Sequence, residues 1–346
     1  MRKLMMIFLL ALCLAVPAFA TEYTAPSAPE SIQSLMPAET ESFGAGLWHV
    51  LKSAVSNLQP EITAAVGTCL GICAIVLLTS VLNSMPGKSK NVVGFACVLA
   101  ISTLLMSRTN ALITLGSDTV QELSDYGKLL LPVMTGALAA QGGVTGATAL
   151  YSGSMIFNAV LTTLIGKLLL PLIYMFLTLG IACSAIGEEL LKKIRDFVKW
   201  LMTWGLKTIL YVFTGYMTLT GVVSGATDAT ALKAAKLTIS GVVPVVGGIL
   251  SDASEAVVLG AGLMKSATGV YGVTALLAVC VTPFLQIGIQ YLVLKLTAAL
   301  CGVFGVKQAS DIVGDFSSAM GLLLGMTGAV CIMLMISVTC FMKGMG

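Results

Sequence analysis

From residue 62 to its end the chain alternates long apolar runs with short polar breaks. Ile62–Leu82, Val92 to about Leu115, Met155–Ile186, Leu201–Val223, Val270–Leu300 and Phe316–Met342 are each long enough to cross a bilayer as a helix, which takes about 20 residues. Two shorter apolar segments, Leu129–Ser152 and Val242–Leu263, carry proline and glycine near their starts: Leu130-Leu131-Pro132-Val133 and Val242-Val243-Pro244-Val245. Each precedes a long span holding a second proline, so Pro132 to Pro171 and Pro244 to Pro283 are both 39 residues apart. Shifted by 112 positions, residues 132–171 match 244–283 at nine of forty positions, both prolines among them. The pattern predicts an all-α polytopic membrane protein with an internal repeat. Each half holds a Pro/Gly-broken re-entrant hairpin and two spans. Broken helices in matching places of two halves point to a transport or conducting site.

The hairpin reading rests on charge. If Leu129–Ser152 crossed once, the next span would place Lys192, Lys193, Arg195 and Lys199 outside, against the tendency of basic residues to stay in the cytoplasm. A dip that turns at Gln141, Gly142 and Gly143 keeps them inside, with arms of about ten residues, or about 15 Å of helix. Such backbone is tolerated at membrane depth only when it is buried in protein or lines a wet cavity. The two halves are then parallel repeats; if the hairpins cross instead, the repeat is inverted.

The polar stretches divide the chain. Arg2 and Lys3, an apolar core from Leu4 to Val16, and Ala18-Phe19-Ala20 predict a cleaved signal peptide over residues 1–20. Residues 21–61 read as an acidic extracytoplasmic tail ending in a short helix near Phe43–Leu58. Residues 62–128 hold two spans and their loops. Within them, the turn at Ser84–Lys90 is cytoplasmic and Ser117–Lys128 is an acidic outside loop. Residues 129–240 and 241–346 are the two repeats. Glu188–Trp200 is an amphipathic stretch, with Trp200 and Trp204 suited to the membrane interface, and Phe304–Asp315 is a cytoplasmic connection.

Composition agrees: 57% hydrophobic, 10% charged, mean hydropathy +0.97, where a soluble domain carries roughly 25% charge. The net charge of +3 is scattered, so no nucleic-acid surface is expected. The nine cysteines lie in or beside apolar runs or in the signal, and read as packing residues rather than metal ligands or disulfides.

Chemistry is sparse. His49, the single histidine, has no sequence partner and reads as a surface residue. No hydrolase elbow, zinc-protease or phosphate-loop motif appears, so neither an enzyme nor a cofactor is expected, and any ATP use belongs to a partner. The remaining candidates are costly charges at membrane depth. Asp252, Ser254 and Glu255 sit at the tip of the second hairpin, as a polar-solute or cation site or as a helix cap. Lys167, four residues before the Pro171 break, is a candidate for lining a cavity. Asn158, Gln286 and Gln290 are candidates for bonds between helices.

The string Thr238-Ile239-Ser240-Gly241-Val242-Val243-Pro244-Val245-Val246-Gly247-Gly248-Ile249-Leu250-Ser251-Asp252-Ala253-Ser254-Glu255 resembles the hallmark of the stage III sporulation protein AE family. So does Leu130–Val133 followed by Gln141-Gly142-Gly143-Val144. The resemblance covers roughly residues 60–342, and the tail is short for the family. It implies a multi-pass subunit in the mother-cell membrane around the forespore. That subunit belongs to a transenvelope channel complex, or feeding tube, required for forespore development, and is plausibly its permease-like core. Implied partners are the lipid bilayer and the other subunits of the complex, among them a cytoplasmic ATPase and ring-forming membrane proteins. The alternatives are a non-conducting scaffold of the same complex and a stand-alone secondary transporter of small solutes.

Overall fold

The computed structural model describes residues 26–36, 43–84, 90–140, 144–219 and 267–344. The signal segment, the tip Gln141–Gly143, and the whole second hairpin with Pro244, Asp252, Ser254 and Glu255 lie outside them. Among the described residues every regular element is helical. A 3₁₀ turn (Glu30–Leu35) precedes α1 (Phe43–Ser56), α2 (Gln59–Ser84), α3 (Lys90–Ala140) and α4 (Val144–Leu164). A π-turn (Ile165–Leu169) leads into α5 (Leu170–Ile186). Then come α6 (Glu189–Leu219), α7 (Ala267–Val303) and α8 (Lys307–Gly344). Among the described residues, five helical segments are long and apolar enough to cross a membrane: Gln59–Ser84, Val92–Ala140, Gly146–Ile186, Tyr271–Val303 and Lys307–Met342.

α1 and α2 lie where the pattern placed them, but α3 does not. Its 51 residues run without a break through the expected acidic loop Ser117–Lys128 and through Pro132. The reason is periodicity. Asp118, Gln121, Asp125 and Lys128 fall on one exposed face, joined by Gln121–Asp125 and Lys128–Asp125 bonds of 2.9 and 2.7 Å. Val120, Leu123, Leu130 and Leu131 face the core. One continuous helix satisfies the backbone while sorting the side chains, so no loop is needed.

α3 ends at Ala140 and α4 begins at Val144, so the chain turns where the hairpin was expected. The arms, however, are not ten-residue half-helices. Asn158 Nδ2 donates to Ser124 Oγ at 3.2 Å, and the Tyr174 hydroxyl donates to Asn110 Oδ1 at 2.6 Å. Both pairs are centred on positions 141–142. The antiparallel pairing therefore extends some thirty residues down each side, about 45 Å.

Pro171 is accommodated by the π-turn before it. The Leu170 N–H reaches back to the Ile165 carbonyl, a wider bond than the α-helical one, in the turn where a proline removes a donor. Pro283 lies inside an uninterrupted α7. The two matched prolines therefore sit in different local structures.

Tight turns join α5 to α6 and α7 to α8, each with a glycine at positive φ: Gly187 (80°) and Gly305 (75°). Gly187 closes α5 by donating to the Cys183 carbonyl at 2.8 Å. Phe304–Asp315, expected as a connection, is mostly helix, because α8 starts at Lys307.

The axis of the bundle is the last helix. From Ala319 to Met335 almost every α8 residue is buried, with α3, α4, α5, α6 and α7 packed around it. Small residues on the neighbours permit the approach. A Cβ on Gly116 would lie 2.7 Å from Leu323 Cδ1, and one on Gly127 2.7 Å from Leu334 Cδ2. Small-residue contacts of this kind bring membrane helices together where no hydrophobic drive separates them from lipid. Hydroxyls inside the apolar helices mostly bond back to the carbonyl four residues earlier, as Ser102, Thr119, Thr135, Thr297 and Ser337 do.

Candidate functional site

Two ion-pair clusters each join three helices at about the same level of the bundle. The first joins α5, α6 and α8. The α5–α6 turn folds α6 back along α5, which brings Arg195 and Lys199, one turn apart, against α8. Arg195 Nη1 donates to Asp315 Oδ2 at 2.8 Å, and its Nε and Nη2 donate to Asp196 Oδ1 at 3.1 and 2.9 Å. The Arg195 and Asp315 side chains are only 13% and 11% exposed, whereas Asp196 is 57% exposed. Lys199 Nζ donates to Ser318 Oγ at 3.2 Å. On the far side of Asp315 lies Gly180 of α5, where a Cβ would come 2.7 Å from the same Oδ2. A glycine is required there for the carboxylate to fit between two helices.

The second cluster joins α2, α3 and α7. Arg108 Nη2 donates to Glu61 Oε2 at 2.6 Å and to the Glu61 carbonyl at 3.3 Å, while its Nε donates to Gln290 Oε1 at 3.1 Å. Gln290 is buried and its Nε2 has no protein partner. Arg108 thus ties the start of α2 to two long helices with one guanidinium, whose planar fork suits such branching.

Neither cluster resembles a catalytic arrangement. Neither holds a nucleophile beside a base, and among the described residues no group of three or more His, Cys, Asp or Glu side chains could hold a metal ion. What the clusters can do is fix helix registry: buried charges tolerate few alternative pairings, because an unpaired one is costly.

The sequence-derived candidates are not brought together. Gln141, Gly142 and Gly143 fall between α3 and α4, and they, like Pro244, Asp252, Ser254 and Glu255, lie outside the described residues. Pro132 and Pro171 are exposed on their helices. Lys167, a candidate for lining a cavity, is exposed on the π-turn. Of the candidate interhelical amides, Asn158 bonds to Ser124 and Gln290 to Arg108, as expected. Sequence reading missed the Asp315 centre by assigning that residue to a loop. The available signal was an acid within helical reach of a long apolar run, beside a basic cluster elsewhere in the chain.

Comparison with known proteins adds identity to this geometry. The sequence model of the family described as stage III sporulation protein AE matches residues 31–344. The stage III sporulation protein AE of Bacillus subtilis (strain 168) is 22% identical over 305 residues, covering 86% of this chain and 76% of the relative. No solved structure matches.

Proposed function

Because the chain belongs to the stage III sporulation protein AE family, we propose that it is a non-catalytic, multi-pass membrane subunit of the complex that joins mother cell and forespore during sporulation. Its role there is that of a rigid helical platform on which the other subunits assemble. The observation that carries this reading is the filled axis. α8 occupies the centre of the bundle, and residues 321–330 are all buried. The described part of a single chain is thus built as a packed solid, locked by the Asp315 and Arg108 clusters. A platform needs that rigidity; a conduit needs a lumen.

A permease-like core is the second reading. It is supported by buried side-chain atoms without a protein partner, among them those of Thr109, Thr162, Thr282 and Gln290. Such groups are usually satisfied by water, and water in the bundle would favour passage of small polar solutes between helices.

Reconstitution distinguishes the two. The purified chain in liposomes loaded with a small fluorescent solute is expected to release none. A tagged copy in sporulating cells is expected to co-purify with other membrane proteins of the complex. Solute release by the chain alone would overturn the platform reading. Wild-type numbers of heat-resistant spores from a strain lacking the gene would remove the sporulation role.

A further inference from the structure

We infer that the bilayer encloses only the half of the bundle that holds the end of α2, the start of α3, and the α5–α6 and α7–α8 turns. The other half, including the end of α3 at Ala140 and the start of α4 at Val144, stands in water outside the membrane as a helical domain made from the same helices. This goes beyond the proposed function and does not depend on it.

Length is the first argument. α3 has 51 residues, about 76 Å of helix, against a hydrocarbon layer of about 30 Å. Its antiparallel partner is nearly as long. More than half of each must therefore lie outside the layer unless strongly tilted.

Surface chemistry decides which half. Contacts fix the relative heights of the helices. α7 and α8 are antiparallel, with Ser310 Oγ on the Ala298 carbonyl and Ser317 Oγ on the Tyr291 carbonyl. α8 and α3 are parallel, with Leu323 on Gly116 and Leu334 on Gly127. α2 is antiparallel to α3, with Gly71 on Leu104, and α6 joins at the same height through Arg195–Asp315 and Lys199–Ser318. With heights so fixed, large exposed apolar side chains on α2, α3 and α7 share one level, and those on α6 begin at its upper edge. They are Leu70 to Leu82 on α2, Val92 to Leu104 on α3, Leu190 to Trp204 on α6, and Leu292 to Val303 on α7. The α2, α3 and α7 stretches are each about 18 Å tall, and the α6 stretch carries the band to about 36 Å. Leu70 is 65% exposed and Leu296 62%. Apolar exposure so broad fits a lipid surface.

Above the band the surface changes while the core does not. α3 shows Asp118, Gln121, Asp125 and Lys128 outward, and α4 shows Thr148 and Ser152. α7 from Gly272 to Cys280 is wholly buried. The acidic N-terminal segment packs on this half: the Ala28 N–H donates to the Tyr271 hydroxyl at 3.2 Å, and Ser31 bonds to Glu122. A polar segment cannot dock inside hydrocarbon without stranding its backbone groups. Apolar exposure is not confined to the band: it continues upward through Val160, Ile156 and Val212, beside the point where α6 leads into residues 220–266, and Trp48, Val55 and Leu129 are exposed as well. Lys90, Lys192, Lys193 and Lys307 lie toward the end of the bundle that bears the α5–α6 and α7–α8 turns, which places that end in the cytoplasm and the opposite end outside.

The test uses full-length protein in native membranes, with the native cysteines replaced and single cysteines introduced at Asp118, Ser152, Leu99 or Leu296. A membrane-impermeant maleimide added to intact cells is expected to label Asp118→Cys and Ser152→Cys at least tenfold faster than Leu99→Cys and Leu296→Cys, which should react only after detergent. Protection of Ser152→Cys equal to that of Leu296→Cys would overturn the inference, since the hairpin would then lie in the bilayer. A second measurement keeps the native cysteines and uses the native tryptophans. In vesicles, Trp48 alone (Trp200→Phe/Trp204→Phe) should be quenched by iodide and not by chain-brominated lipid. The Trp48→Phe variant should show the reverse. Quenching of Trp48 by brominated chains would place the upper half in lipid and overturn the inference independently.

Discussion

Replacing Asp315 by alanine removes the carboxylate that faces Arg195 across the α6–α8 contact. At 2.8 Å and an effective dielectric of about 20, the pair attracts by about 6 kcal/mol. Desolvation of both charges offsets much of this, but the desolvation persists when one partner is deleted. Breaking a buried pair from one side therefore costs about 3–5 kcal/mol. Arg195 keeps Asp196 as a partner, so the lower end, about 3 kcal/mol, is expected. At roughly 2–4 °C per kcal/mol for a domain of this size, the melting midpoint falls by about 6–12 °C. The assay is heating of the detergent-solubilised protein followed by measurement of the monodisperse fraction, for Asp315→Ala, Arg195→Ala, the double variant and Asp311→Ala. Asp311 is exposed on the same helix and should cost less than about 0.5 kcal/mol. The double variant should be less damaged than the sum of the singles by about 2 kcal/mol, since contacting residues couple. An Asp315→Ala midpoint within 2 °C of wild type (about 1 kcal/mol or less), or strict additivity in the double variant, would refute the claim that a buried ion pair locks α6 to α8.

Packing around α8 predicts that Leu323→Ala costs about 2–5 kcal/mol, whereas Leu296→Ala on the lipid face costs under about 0.5 kcal/mol; both are read by the same thermal assay. Gly153 faces the Tyr216 ring, whose hydroxyl donates to the Ala149 carbonyl at 2.9 Å. Gly153→Ala should therefore cost about 1–3 kcal/mol, and adding Tyr216→Phe should cost little more, which a double-mutant cycle checks. Glu61→Ala leaves Arg108 with Gln290; because Glu61 and Arg108 are 33% and 24% exposed, the loss should be about 1 kcal/mol and should shrink in high salt, as midpoints at two ionic strengths would show.

What the sequence by itself determined is what short-range chemistry can determine. Runs such as Ile62–Leu82 have no stable home except apolar surroundings, so the helical class and the membrane character followed directly. The helix at Phe43, the turn near residue 141 and the bonding of Asn158 and Gln290 were also legible, because breakers and lone amides act locally. The height of each segment relative to the bilayer was not. Ser117–Lys128 is polar by composition and reads as a loop. Only the packing of its other face against the core makes it the middle of α3, since a helix can carry charge outward at no cost when it buries leucines inward. Likewise Asp315 is an acid near a chain turn until Arg195, 120 positions away in sequence, and the missing side chain of Gly180 create a place for it. Tertiary structure decided these points because the cost of burying a charge, and the gain from burying a helix face, both depend on neighbours that distant parts of the chain supply.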